Sequence, residues 1–375
     1  MFQPFLVEQF LSNNEQNIRW NYSESGVHPM SVGELLDLAG VELASLRDVS
    51  LNYPEVNGDI GLREKIAGLY DNADADNVLV TVGASEANQI IAAAFLEAGD
   101  EVVALTPTYQ QLTGNAGNLG IEIKTVPLVE DDGWALDTEA LDNAVGPNTK
   151  LISLVNPHNP TGHIFTDDEL NAIISAADRV GAWIVADEVY AGTERQVNQP
   201  TRSLWDRYER VLALNSMSKA YGLPGLRLGW VVAPHERIAE LWRRHEYATI
   251  STTMLGNVLA DIALDPANRP NILARSRRLI RTGFDVLQSG LDHHDGVFDV
   301  VPPMASAMSF VRYDLPISSL ELAQRLIDEH STLVVPGECF GMDSHFRFSS
   351  ALPEPYLREG LARLNQLAGD ILGQG

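Results

Sequence analysis

The sequence has few of the features that mark secreted, metal-binding or membrane-spanning proteins. It contains one cysteine, Cys339, so an internal disulfide and a cysteine-rich metal site are both excluded. Its richest apolar run, IIAAAFL at residues 90–96, is followed at once by Glu97 and falls well short of the ~18 residues that cross a bilayer. The N-terminal stretch MFQPFLVEQFL lacks a basic region and carries Glu8, unlike a secretory signal. These absences predict a cytoplasmic protein.

Basic residues are also scarce. Against 51 aspartates and glutamates the chain has 26 lysines and arginines, which gives a formal charge of −25. An acidic surface of this kind repels phosphate backbones and anionic lipids, so neither nucleic acid nor membrane is expected as a partner. An acidic surface with only four lysines fits a high-salt proteome, and a GC-rich genome would also favour arginine over lysine. Both interpretations stay open.

What is present between residues 77 and 218 is a repeated alternation. Short β-branched runs such as NVLVTV, EVVALTP and KLISLVNP alternate with amphipathic stretches such as SEANQIIAAAFLEAG. This alternation predicts a mainly parallel sheet that is covered by helices on both faces. Thr166 and Glu169 form a capping box ahead of one helix, and Gly83 lies at a strand-to-helix turn. Such sheets bind ligands beyond the carboxyl ends of their strands.

The composition changes near PANRP, residues 266–270, after which a long amphipathic stretch begins. The tail then alternates strand-like and helical segments, including ASAMSFVRY, SLELAQRLIDEH and HFRFSS, which predicts a smaller α+β unit. We therefore expect an N-terminal arm and part of the small domain at residues 1–45, a large domain at 46–268 and a small domain at 269–375.

Seven separated stretches of the sequence carry a common resemblance. Between about residues 50 and 350 they occur in the order YPEVNGDIGLREKIA, TVGASEA, TPTY, NPHNPTG, ADEVY, SMSKAYGLPGLRLGW and FRFSS. In this order they resemble the fold-type I pyridoxal-phosphate enzymes, especially the class I and II aminotransferases. The resemblance implies pyridoxal 5'-phosphate as cofactor, and a large domain with a mainly parallel seven-stranded sheet beside a smaller α+β domain.

One of only four lysines, Lys219, lies in SMSKAY among small and hydroxyl-bearing residues. It matches the family's lysine that holds the cofactor as an internal aldimine, a Schiff base. The chemistry requires an amine that can lose its charge, which a desolvated lysine can do and an arginine cannot. The resemblance also makes Lys219 the general base once the substrate has displaced it.

Other matched positions contact the cofactor in the family. Asp187 ends the strand-like run WIVAD and matches the carboxylate that keeps the pyridine nitrogen protonated. Tyr190, assigned a catalytic role with Lys219 and Asp187, and Asn159 match the partners of the phenolic oxygen, and Tyr109 matches the aromatic residue that stacks on the ring. The phosphate is expected at the start of the helix after NVLVTV. The residues assigned to it are Ala84, Ser85, Ser216, Ser218 and Arg227, together with Tyr53 from a neighbouring subunit.

Arg347 in FRFSS matches the arginine that binds the substrate α-carboxylate as a bidentate fork. Gly26 and Asn159 are assigned to the substrate with it. The Tyr53 match implies a homodimer with shared active sites. No metal site is expected, because His293 and His294 stand in a loop-like stretch without ligand partners at a recognisable spacing.

The leading hypothesis is therefore a pyridoxal-phosphate-dependent aminotransferase that moves an amino group between an α-amino acid and a 2-oxo acid. The alternative is an enzyme with the same site that catalyses elimination, replacement or cyclisation of an amino acid. It is suggested by SESGVHPMSVGELL and LVVPGECFG, which are similar to capreomycidine synthase-like members of the family. A DNA-binding regulator with an aminotransferase-like sensor domain is disfavoured by the acidic charge. The sequence leaves the amino acid and the acceptor open. Glu24, near the N-terminal arm, could attract a basic side chain, and a solvated surface charge is the alternative interpretation.

Overall fold

The structure is a computed structural model that describes residues 2–373. Fourteen strands are present in these residues: β1 (Trp20–Asn21), β2 (Val78–Thr81), β3 (Glu101–Thr106), β4 (Glu122–Val129), β5 (Ala135–Leu136), β6 (Thr149–Val155), β7 (Trp183–Asp187), β8 (Val211–Ser216), β9 (Gly229–Val232), β10 (Phe298–Val300), β11 (Met308–Tyr313), β12 (Thr332–Leu333), β13 (Val335–Pro336) and β14 (His345–Ser349).

The α-helices lie between and after these strands. In chain order the helices of residues 2–373 are α1 (Leu6–Asn14), α2 (Val32–Ala39), α3 (Ile60–Ala67), α4 (Gly83–Phe95), α5 (Gln111–Asn118), α6 (Thr138–Ala144), α7 (Asp167–Val180), α8 (His235–Ala248), α9 (Met254–Leu264), α10 (Arg269–Leu291), α11 (Ser319–His330) and α12 (Glu354–Ile371). Short 3-10 turns complete several of the connections.

The larger sheet has the strand order β2-β9-β8-β7-β6-β3-β4-β5. The strands β8, β7, β6, β3 and β4 run parallel, whereas β9 is antiparallel to both of its neighbours and β5 is antiparallel to β4. The predicted mainly parallel sheet is confirmed. It has one strand more than the seven predicted, because the two-residue β5 adds to the edge beyond β4.

Both faces of this sheet are buried, which explains the nearly continuous apolar runs of its strands. Successive residues of β6, Leu151 and Ile152, are both fully buried but belong to different clusters of the core. Leu151 packs in the cluster that contains residues of α4 and α8, and Ile152 packs in the cluster that contains residues of α7 and α9. The sheet is therefore the middle layer of three.

The second sheet has four antiparallel strands in the order β10-β11-β14-β13, and it packs with α10, α11 and α12. The N-terminal strand β1 pairs in parallel with β12, so the first residues of the chain lie beside the last third. The stretch TLVVPG, residues 332–337, forms two short strands, β12 and β13, instead of one continuous strand. Its first half pairs with β1 and its second half with β14.

Several polar residues lie at the edge of the large sheet where its parallel strands end. Asp187 is the last residue of β7, Ser216 is the last residue of β8, and Asn156 directly follows β6. Because parallel strands end at the same edge, these three positions lie together at the carboxyl ends. Within residues 2–373, no helix has both the length and the apolar character that crossing a bilayer would need.

Candidate active site

A cavity of about 410 Å³ opens at the carboxyl ends of the central strands. Its wall contains every predicted site residue except Tyr53 and Gly26. The predicted residues that line it are Ala84, Ser85, Tyr109, Asn159, Asp187, Tyr190, Ser216, Ser218, Lys219, Arg227 and Arg347. They come from turns after β2, β3, β6, β7 and β8 and from β14 of the second sheet, so the fold brings together positions up to 263 residues apart.

Lys219 follows β8 by three residues and extends into the cavity. Its Nζ donates a hydrogen bond to Ser25 Oγ at 2.7 Å. Burial lowers the pKa of Lys219, and the negative charge of Glu24 opposes that effect. Gly26 lies directly beside this lysine, since a Cβ atom there would be 3.0 Å from Ser218 O and 3.7 Å from Lys219 Cδ. A glycine thus allows the N-terminal segment to approach the amine.

Asp187 presents an isolated carboxylate to the same cavity. It accepts a hydrogen bond from the backbone N–H of Val189 at 3.3 Å, and the Asn88 side chain also stabilises its charged form. Shielding from bulk solvent nevertheless raises the pKa of Asp187 to about 6. No basic side chain of residues 2–373 forms an ion pair with it. A cationic ring nitrogen placed here would supply the missing opposite charge.

Arg347 is held in a buried chain of hydrogen bonds. Its Nη1 donates to Asn159 Oδ1 at 3.2 Å and its Nη2 donates to the Ser23 carbonyl at 2.7 Å. Asn159 in turn donates from Nδ2 to Tyr190 Oη at 3.1 Å. Arg347 is only 2% exposed, burial lowers its pKa, and its Nε has no hydrogen-bond partner. An unsatisfied buried guanidinium at a cavity wall suits an anionic ligand.

The start of α4 and the side chain of Arg227 form a cradle on the cavity wall. Gly83 has a φ of +71°, and Arg227, also in the left-handed region, lies over it. A Cβ at Gly83 would be 2.8 Å from Arg227 Nη2, and a Cβ at Gly229 would be 2.6 Å from Gly83 C and 2.7 Å from Ala84 N. Only glycines permit this approach, which leaves the first N–H groups of α4 and the Arg227 guanidinium around one space.

Tyr109 and Tyr53 lie in very different places. Tyr109 lines the cavity, and its hydroxyl donates to Glu8 Oε1 at 2.8 Å while its ring packs against Phe5. Tyr53 is 81% exposed and lies away from the cavity of its own chain. Its assignment to the phosphate of a neighbouring subunit therefore stays a prediction.

Several residues of the cavity wall were not identified from the sequence. Those from the N-terminal segment are Glu8, Leu11, Glu15, Ser23 and Ser25, and Asn88 and Gln111 come from α4 and α5. SESGVHPMSVGELL, which carries the similarity to capreomycidine synthase-like members, begins at Ser23 and was the one available signal for this region. Nothing in that stretch indicates that Ser25 accepts a hydrogen bond from Lys219.

Comparisons with known proteins agree on one family. The family profile described as aminotransferase class I and II matches residues 34–364. Capreomycidine synthase of Streptomyces vinaceus is 31% identical over 368 residues, 97% of this chain and 93% of that protein. A PLP-dependent aminotransferase from Streptococcus suis has a TM-score of 0.92 at 30% identity, covering 99% of this chain and 98% of that one. The PLP-dependent cyclase OrfR has a TM-score of 0.88 at 27% identity, with 100% and 98% covered.

Proposed function

The chain belongs to the class I and II aminotransferases, enzymes that depend on pyridoxal 5'-phosphate, and we propose that it transfers an amino group between an α-amino acid and a 2-oxo acid. One observation carries this proposal. A lysine with a lowered pKa, an unpaired aspartate and a buried arginine with a free Nε all face a single cavity. The cradle at the start of α4 lines the same cavity, so a cofactor and an amino acid could be held side by side.

In this proposal the chain's own residues bind, orient and move a proton. Lys219 Nζ holds the cofactor and then accepts the proton of the substrate Cα–H bond, for which burial has already lowered its pKa. Ser25 Oγ, at 2.7 Å, keeps the amine aimed into the cavity. When bound, the cofactor supplies an electron sink for the α-carbon. Asp187 would keep a proton on the pyridine nitrogen of the cofactor, and Tyr190 and Asn159 would hold its phenolic oxygen.

Arg347 would determine which bond breaks. Its Nη groups are fixed by Asn159 and Ser23, so the guanidinium has one orientation in which to bind the substrate carboxylate. A charge-assisted pair of this kind contributes about 1.5–3 kcal/mol and fixes the direction of the Cα–H bond. Gly26 would contribute by letting the N-terminal segment close on Lys219 without a side chain in between.

A homodimer is part of the proposal because two segments that contact each other each carry an exposed tyrosine. His245 Nε2 donates to the Val56 carbonyl at 2.9 Å, which fixes the loop that contains Tyr53 next to the C-terminal end of α8. Tyr53 and Tyr247 are 81% and 97% exposed. A second subunit would cover this apolar surface and receive Tyr53 near its phosphate cradle.

The division into residues 1–45, 46–268 and 269–375 is likewise proposed. The large sheet falls inside the second range and the four-stranded sheet inside the third. β1 connects the first range to the third through its pairing with β12.

Elimination followed by cyclisation is the second candidate function. It is favoured by the 31% identity with capreomycidine synthase over nearly the whole chain, and by the structural similarity to a PLP-dependent cyclase. Both reactions begin with the same proton removal by Lys219, so the residues described above do not separate them. They differ in whether the amino group stays on the enzyme.

A single-turnover experiment tests the proposal. The enzyme loaded with pyridoxal phosphate is mixed with a panel of amino acids in the absence of a 2-oxo acid, and its absorption spectrum is followed. Transamination predicts stoichiometric conversion to the pyridoxamine form and one equivalent of 2-oxo acid. Release of ammonia or a cyclic product without that conversion supports the second candidate. Lys219→Ala should abolish either result, whereas Lys150→Ala, an exposed lysine on β6, serves as the matched control.

A further inference from the structure

Three carboxylates from the N-terminal segment line the active-site cavity. Glu8 lies on α1, Glu15 follows that helix, and Glu24 lies between β1 and α2. None of the three forms an ion pair with a basic side chain of residues 2–373. Many acidic residues of this chain are solvated surface charges, but these three face a space already lined by Lys219 and Arg347.

The positions of two of these carboxylates are fixed by hydrogen bonds to the site. The residue before Glu24, Ser23, accepts a hydrogen bond from Arg347 through its carbonyl, and the residue after it, Ser25, accepts one from Lys219. Glu24 is therefore held between the group that would bind the substrate carboxylate and the group that would remove the substrate α-proton. Glu8 is held by Tyr109 Oη at 2.8 Å.

The charges of Glu8 and Glu24 act on both Lys219 and Arg347. The charges of both carboxylates act to raise the pKa values of Lys219 and Arg347, against the lowering effect of burial. Under the proposed function, however, the cations of the cavity already have other partners. Arg227 would neutralise the phosphate and Arg347 the substrate carboxylate, and Lys219 would hold the cofactor or, once the substrate has displaced it, act as an uncharged base. The negative charge of the N-terminal carboxylates would then be uncompensated when cofactor and substrate backbone are bound.

Arg347 gives an independent indication of the ligand. It is 2% exposed, it lines the cavity, and it forms no ion pair with an acidic side chain of residues 2–373, so a ligand with an anionic group at this end would complete the site. The opposite requirement at Glu8 and Glu24 calls for a cationic group elsewhere on the same ligand. We propose that the preferred substrate is an α-amino acid whose side chain ends in a guanidinium or ammonium group, bound by Glu8 and Glu24. This inference rests on the proposed function.

The expected selectivity follows from the strength of hydrogen bonds to charged groups. Such bonds contribute about 1.5–3 kcal/mol, and 1.4 kcal/mol corresponds to a factor of ten. Because Glu8 and Glu24 are exposed in the free protein, water and salt screen them and the lower end applies. Each carboxylate should therefore contribute about tenfold to the preference for a cationic over a neutral side chain.

Arginine and citrulline form a matched pair for the test, because they differ mainly in the charge of the terminal group. Single-turnover kcat/KM is measured for both, and for ornithine and norleucine as the ammonium pair. The wild-type enzyme should prefer each cationic member by about 100-fold. Glu8→Gln and Glu24→Gln should each reduce the ratio by about tenfold, and the double variant should bring it close to one. Glu97→Gln, an exposed glutamate away from the cavity, should leave the ratio unchanged.

Two failures can be distinguished. If no amino acid converts the enzyme to the pyridoxamine form or yields ammonia, the proposed function is wrong, and calorimetric titration of Lys219→Ala with arginine and citrulline still tests the inference through binding alone. Equal binding or turnover of both amino acids overturns the inference while leaving aminotransferase activity in place. A preference for arginine that the two glutamine variants do not change would also overturn it, because the selectivity would then arise elsewhere.

Discussion

Replacing Asp187 by asparagine should stabilise the cofactor-free protein and inactivate the loaded enzyme. In the free protein, shielding from solvent raises the pKa of Asp187 from 3.8 to about 6. The folded chain therefore binds this proton more tightly than the unfolded chain, and the folded state loses stability as the pH rises from about 4 through 6. An uncharged asparagine removes that loss.

The size of the gain follows from linkage. A pKa difference between 3.8 and about 6 corresponds to about 3 kcal/mol at pH 7.5, where the carboxyl group is ionised in both states. At pH 5 the same relation gives about half of that value. In the loaded enzyme the effect reverses, because the pyridine nitrogen loses its counter-charge. Since an opposite charge changes a pKa by about 1–3, the protonated ring should become about 10 to 1,000 times less populated.

Urea unfolding of the cofactor-free proteins at pH 5 and pH 7.5 measures the first effect, and single-turnover kinetics measure the second. Glu188→Gln is the matched control. Burial raises the pKa of Glu188 to about 7, and both of its hydrogen bonds, from Ser203 Oγ and Leu204 N, go to one oxygen that glutamine retains. It should also be stabilised by about 3 kcal/mol at pH 7.5, yet keep its cofactor spectrum. An Asp187→Asn protein that is equally stable or less stable at pH 7.5 would refute the reasoning.

Three further changes test separate parts of the site. Gly229→Ala places a Cβ 2.6 Å from Gly83 C, so it should cost about 1–3 kcal/mol of stability and weaken cofactor binding, as measured by urea unfolding and fluorescence titration. Arg347→Lys loses the planar fork and should raise KM for the amino acid about 10- to 100-fold without changing the cofactor spectrum. Tyr247→Asp puts a charge on a 97% exposed side chain and should shift sedimentation towards the monomer, whereas an unchanged dimer would exclude this surface as the interface.

Local sequence patterns predicted most of the fold, because caps and the spacing of apolar residues within each segment determine where its helices and strands form. SLELAQRLIDEH forms α11 over the predicted residues, since Ser318 caps it and its apolar face has helical spacing. The capping box of Thr166 and Glu169 is confirmed at the start of α7. β9 was not predicted, because its four residues continue directly from the Lys219 motif. It lies between β8, which ends at Ser216, and β2, about 150 residues earlier in the chain, and pairs with both.

The same distinction between local and long-range determinants applies to the site. Lys219, Asp187 and Arg227 stand in motifs whose residue order reflects one turn or one strand end, and the structure brings all of them to the cavity. Ser25 contacts Lys219 across 194 positions, and Glu8 contacts Tyr109 across 101. No short pattern encodes such contacts, because they exist only when both sheets are in place.

The N-terminal segment connects the two sheets at the cavity, and this explains why the family is easier to recognise than the substrate. The Tyr22 carbonyl accepts a hydrogen bond from the backbone N–H of Ser349 at 2.8 Å and so ties the segment to β14, while Glu8 ties it to Tyr109 above the large sheet. Cofactor chemistry needs fixed groups around a fixed ring, and these groups lie in motifs. In our proposal, substrate choice depends on the N-terminal segment, which lies at the outer side of the cavity. The sequence of this segment can therefore change without disturbing the groups that hold the cofactor. If Glu8 and Glu24 determine selectivity, changing them should alter which amino acid reacts while the spectrum of the bound cofactor stays the same.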